Sequence, residues 1–284
     1  MKVAPMRLLA LIVLALLAAN AVMAQRTPYP QGTVEVAYGD AARQRLDFTP
    51  AARHGAPLVL FVHGGAWSMG DKAMAGHMAV HFHQRGYAFA SVNYRLVPDA
   101  DPAQQAEDVA AAIARLIGDA GRLGIDRERV MIMGHSAGAH LAALVATDPA
   151  YLGTHHIPIA AIGGVVLLDG AGYDVAAQMR DAGPLLRSMY RRAFGDDPAF
   201  QSRVSPTRHA DAPNAGRFLI FHIASRADSG AQSARLGALL RAAGTPAEVV
   251  SIDSSHAEIF RRFGQPGHRA TELTDAFAEA LFRR

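Results

Sequence analysis

The sequence predicts an α/β chain: a mostly parallel central sheet with helices on both faces and a helical cap-like insertion. Three observations carry this. Continuous apolar runs of strand length recur in "PLVLFVHGG", "YAFASVNY", "RVMIMGHS", "IGGVVLLDG", "RFLIFHIAS" and "AEVVSID". Such runs suit strands buried on both faces of a sheet. Segments with helical spacing alternate with them, the pattern of parallel strands joined by crossover helices. The alternation then breaks once, over residues 170–211.

Taken in order, the first residues place Lys2 and Arg7 ahead of an apolar run, Leu8 to Ala19, that ends in Val22-Met23-Ala24. This is the pattern of a secretory leader over 1–24, with an uncleaved membrane anchor as the alternative. Cleavage predicts a secreted or periplasmic protein with no stable membrane insertion, and a single domain over 25–284. "QGTVEVAYGD" and "RQRLDFTP" alternate and end in turn residues, so two short strands lead the sheet. Helices are predicted over about 72–85, 102–118, 137–146, 231–243 and 268–282. The second is the clearest: Asp101 can cap it, Pro102 suits the first turn, and Val109, Ile113, Leu116 and Ile117 recur at helical spacing. A break as long as 170–211 inside a domain usually forms a lid or binding wall.

The chain of 284 residues is 50% hydrophobic and 19% charged, enough to bury a large core. Without Lys2 and Arg7 the basic count falls from 28 to 26 against 25 acidic residues. That near-neutral balance gives no case for a nucleic-acid partner. There is no cysteine, which excludes thiol nucleophiles and thiolate metal sites and leaves an exported fold without disulfides.

The chemistry concentrates in "RVMIMGHSAGAHL". A buried strand stops at Gly134-His135-Ser136-Ala137-Gly138 and passes directly into a helix, the setting of a nucleophile elbow. An attacking serine needs donors for the oxyanion it creates, and His63-Gly64-Gly65 closes an earlier strand. The backbone N–H groups of Gly65, Ala66 and Ala137 are the candidate oxyanion hole, with His63 bracing the loop. His256, just past the last strand, is the candidate base; His268 competes but begins the terminal helix. For the acid, Asp228 follows the preceding strand and is favoured, Asp169 at the end of "VVLLDG" is its rival, and Asp253 reads as a loop cap.

Trp67, His135, Met179 and Met189 are candidate substrate-pocket residues. Together with Leu185, Leu186 and Tyr190, the insertion's methionines could equally pack it onto the body. His77 and His81 share a helical face but lack the glutamate of H-E-x-x-H, so they read as a solvated face and no metal site is assigned.

From about Pro57 onward these motifs resemble the α/β-hydrolase superfamily. Within it they resemble the small serine esterases of the hormone-sensitive-lipase-like, feruloyl-esterase-like and arylformamidase-like branches. The resemblance rests on "HGGAW", "VNYRL", "QQAEDVAAAIARL", "GIDRERVMIMGHSAGAHLAAL", "RAD" and "SSHAEIF". It implies an α/β-hydrolase fold, a Ser136, Asp228, His256 triad, no cofactor, and hydrolysis of small or medium acyl esters through an acyl-enzyme. Amide or formamide hydrolysis by the same triad is the alternative, and a non-catalytic binding protein on this scaffold is the reading from another class. The Val-Pro that follows the acid in many relatives is missing after Asp228, which keeps Asp169 open.

Overall fold

Eight strands form one sheet in the order β1-β2-β4-β3-β5-β6-β7-β8. They are β1 (Val34–Ala37), β2 (Arg45–Thr49), β3 (Ala56–Val62), β4 (Ala88–Val92), β5 (Ile125–His135), β6 (Ile162–Leu168), β7 (Phe218–Ile223) and β8 (Ala247–Ile252). The computed structural model describes residues 27–211 and 213–283; the leader read over 1–24 lies outside them. β1 with β2 and β2 with β4 pair antiparallel, and every later pair is parallel. The two alternating segments at the start therefore form the antiparallel edge, and the continuous apolar runs form the buried parallel body, as their patterns require.

Helices α1 (Gly76–Gln84), α2 (Pro102–Gly118) and α3 (Ala137–Thr147) follow β3, β4 and β5. Between β6 and β7 lie α4 (Val175–Asp181), α5 (Pro184–Phe194) and α6 (Pro198–Arg203), the helical insertion. The chain closes with α7 (Ala227–Ala242) and α8 (Arg269–Phe282). Among the described residues no helix is long and apolar enough to cross a membrane.

Side chains of a strand alternate between faces. Along β3, Leu58, Leu60 and Val62 enter one apolar cluster with α2, α3 and the insertion, while Val59 and Phe61 enter a second with α1 and α8. Each buried leucine or phenylalanine contributes roughly 1.5–3 kcal/mol. α2 starts on a capping box between Asp101 and Gln104. Its buried Asp108 grips Arg95 through both carboxylate oxygens, at 2.7 Å to Nη2 and 2.9 Å to Nε, which fixes the chain leaving β4. This stacking brings the C-terminal ends of β3, β5, β6, β7 and β8 to one rim, where ligands of open parallel sheets bind.

Candidate active site

Ser136 sits between β5 and α3 with φ 56° and ψ −121°, a conformation that side chains adopt only when their surroundings force it. The surroundings do so here. The Ser136 amide donates to the Leu168 carbonyl of β6 at 3.0 Å. A Cβ at Gly138 would lie 2.1 Å from the Val62 carbonyl oxygen, so α3 can leave this corner against β3 only with glycine there. The hydroxyl is thus held at the head of a helix N-terminus, where backbone dipoles favour developing negative charge.

His256 Nε2 lies 3.0 Å from Ser136 Oγ. On the ring's other side, Nδ1 is 2.5 Å from Asp169 Oδ2. Asp169 is completely buried at the end of β6, and its second oxygen accepts from the Ile223 amide at 3.1 Å and from Ser229 Oγ at 2.5 Å. Burial alone would push this carboxyl up. Hydrogen bonds from His256 and Ser229 and the charge of Arg226 outweigh it and hold the group well below the usual carboxylate range. Asp169 therefore stays ionised where it faces the imidazole.

The favoured acid, Asp228, is not at this position. α7 begins at Ala227, four residues earlier than its spacing predicts, and takes Asp228 into its first turn. There Asp228 Oδ2 accepts from Arg226 Nη2 at 3.2 Å and from Gln178 Nε2 of α4 at 3.3 Å, tying the insertion to the body. Arg226 bridges the two carboxylates: its Nη1 also reaches Asp169 Oδ2 at 2.5 Å. The structure thus places Asp169, the rival candidate, and not the favoured Asp228, against His256. Asp253 makes no such contact with His256.

The loop after β3 lies directly against the serine corner, since a Cβ at Gly64 would come within 3.0 Å of Ser136 Cβ. Ala66 and Trp67 both have positive φ, 51° and 59°. Among the described residues no acceptor takes a hydrogen bond from the Gly65, Ala66 or Ala137 amide. The Trp67 carbonyl, by contrast, is pinned by the Val97 amide at 2.9 Å and Gln105 Nε2 at 2.8 Å. His63 braces the loop as expected: Nδ1 donates to the Gly64 carbonyl at 2.8 Å and the ring stacks on Tyr94 at 4.4 Å.

The four candidate pocket residues differ in their surroundings. Trp67 is only 1% exposed, packed edge-on against His140, Tyr190 and Phe194. Its Nε1 donates to His140 Nδ1 at 3.2 Å, and His140 Nε2 donates to the Val204 carbonyl at 2.7 Å. This buried histidine, which sequence reasoning passed over, joins the oxyanion loop, α3 and the insertion. Burial holds it neutral, with its pKa lowered to about 4. Met179 and Met189 are partly buried against the main core cluster. His135 bonds the His256 carbonyl through Nε2 at 2.8 Å. His77 and His81 do not form a solvated face: His81 pairs with Asp275 of α8 at 2.8 Å, and His77 bonds the Phe260 carbonyl at 2.9 Å. Their partners lie far along the chain, beyond the reach of local spacing.

Residues 46–156 match the family model described as BD-FAE, a segment that ends nine residues past α3. A probable isoprenylcysteine alpha-carbonyl methylesterase of Oryza sativa subsp. japonica is 38% identical over 110 residues, covering 38% of this chain and 26% of the relative. A kynurenine formamidase of Danio rerio is 32% identical over 117 residues, 40% of this chain and 39% of the relative. The chain thus spans well under half the length of these curated relatives. Thermogutta terrifontis esterase 2, in a structure phosphonylated by sarin, superposes with a TM-score of 0.75 at 22% identity, covering 90% of this chain and 97% of that one. The superposition shows that this chain has the α/β-hydrolase fold, and the segment that matches the family model includes the serine corner.

Proposed function

We propose that the protein is a serine-dependent carboxylic-ester hydrolase that cleaves small or medium acyl esters through an acyl-enzyme. The observation that carries this reading is the hydrogen-bonded line from Ser136 Oγ through His256, 3.0 Å on one side and 2.5 Å to Asp169 on the other. Ser136 attacks the ester carbonyl while His256 takes its proton at Nε2. The amides of Gly65, Ala66 and Ala137 receive the oxyanion, and Asp169 keeps the imidazole in the required tautomer. Collapse expels the alcohol, protonated by His256. Water, activated by the same ring, then releases the acid.

The likeness to a methylesterase and to an esterase phosphonylated by sarin supports ester cleavage. The kynurenine formamidase likeness supports a second reading, formamide hydrolysis by the same residues. The leader pattern of residues 1–24 supports export, which argues against an intracellular formamide substrate. The test is turnover of p-nitrophenyl butyrate beside its matching anilide and N-formylkynurenine, by wild type and Ser136→Ala. The ester should be the best substrate, and the substitution should lower turnover by roughly four to six orders of magnitude. Preferred cleavage of N-formylkynurenine would select the second reading, and full activity in Ser136→Ala would reject both.

A further inference from the structure

We propose that His135 is a positioning residue for His256, holding the base from behind through the base's own carbonyl; this rests on the catalytic reading of Ser136 and His256. His135 immediately precedes the nucleophile on the rigid end of β5, and its Nε2 donates to the His256 carbonyl at 2.8 Å. The two rings lie 4.7 Å apart. Behind His135, Phe260 stacks at 5.3 Å and 20°, and behind Phe260, Phe61 of β3 stacks at 5.5 Å and 10°. A column of four rings therefore runs from the strand core to the base. His77 of α1 adds a second anchor, donating from Nε2 to the Phe260 carbonyl at 2.9 Å with its ring edge-on at 4.9 Å.

The base needs this support. His256 lies in a loop after β8, and its side chain is 41% exposed. Its Nε2 must nonetheless stay within hydrogen-bond reach of Ser136 Oγ. A misplacement of about 1 Å can cost on the order of 10²-fold in rate. Histidine suits the task because it donates while uncharged. A lysine or arginine could make the same bond but would add a second cation beside the imidazolium that forms on His256, where Arg226 Nη1 already lies 2.9 Å from Nδ1. Burial, reinforced by the neighbouring His256, keeps His135 neutral, with its pKa lowered to about 3. The tight fit extends to the oxyanion loop, where a Cβ at Gly64 would lie 3.0 Å from His135 Nδ1. One side chain thus spaces the nucleophile, the base and the oxyanion loop.

The experiment compares wild type, His135→Phe, which keeps the stack and loses the donor, and His135→Gln, which keeps a donor at the Nε2 position. Each is measured for p-nitrophenyl butyrate turnover and for fluorophosphonate labelling of Ser136. His135→Phe should lose about 10- to 100-fold in kcat and in labelling rate with KM within about 3-fold. His135→Gln should recover most of the loss. Wild-type kcat in His135→Phe, or an equal loss in His135→Gln, overturns the proposal while leaving the catalytic reading intact. Failure of wild-type Ser136 to label overturns both. Should His135→Phe not fold, His77→Phe tests the second anchor: kcat should fall about 3- to 10-fold at constant KM and return in His77→Gln. Unchanged kcat in His77→Phe then overturns it.

Discussion

Asp169 Oδ2 lies 2.5 Å from His256 Nδ1, although 87 residues separate them, whereas Asp228 turns to Arg226 and Gln178. Asp169→Asn should therefore cost on the order of 10⁴-fold in kcat by stabilising the wrong imidazole tautomer. Asp228→Asn should cost less than about 10-fold, because Asp228 acts only on Arg226 and α4. Ester kinetics on both variants check this. The reverse ranking would restore Asp228 as the acid.

Much of this site is legible before any coordinates. The serine corner announces itself because its strand, its glycines and its helix are contiguous in sequence, and His256 follows from its place after the last strand. The acid is harder, since it must be near His256 only in space. The spacing of "RADSGAQSARL" does not reveal that the helix starts at Ala227, so Asp228 looks like a loop residue. The usable signal lay elsewhere: Asp169 ends an otherwise apolar strand, and a carboxylate buried there requires strong partners. Pocket residues are hard to assign for a related reason. Periodicity marks Trp67, Met179 and Met189 as apolar, but not whether they line a space or fill it.

Trp67→Phe tests the junction of oxyanion loop, α3 and insertion. The change removes the donor to His140 Nδ1, an atom of a completely buried residue. An unpaired buried polar atom costs about 1–3 kcal/mol. The urea midpoint should fall accordingly, and a loss below about 0.5 kcal/mol would show that the junction carries no weight.

Acid should destabilise the fold through its buried histidines. His63 and His140 are each held neutral by burial, with pKa lowered from 6.5 to about 4. Below pH 6.5 the unfolded chain binds protons that the folded chain refuses, so stability falls as pH drops. The loss is roughly 1.4 kcal/mol per histidine per pH unit until the folded pKa is reached. Asp169 does not contribute in this window, because a carboxylate held below its usual range loses its stabilisation only as pH falls below the ordinary carboxylate value. Urea midpoints at pH 7.0, 6.0 and 5.0 should decline in order. A flat or rising series would contradict the neutral, buried state of these rings.

The central claim, that Ser136 is a hydroxyl activated by His256, is tested most directly by covalent capture. Wild type and Ser136→Ala are treated with a fluorophosphonate, digested, and mapped by mass spectrometry. We expect stoichiometric modification on the peptide carrying Gly134 to Gly138, at Ser136, and none in the alanine variant. An unmodified wild-type serine, or equal labelling of both proteins, would contradict it.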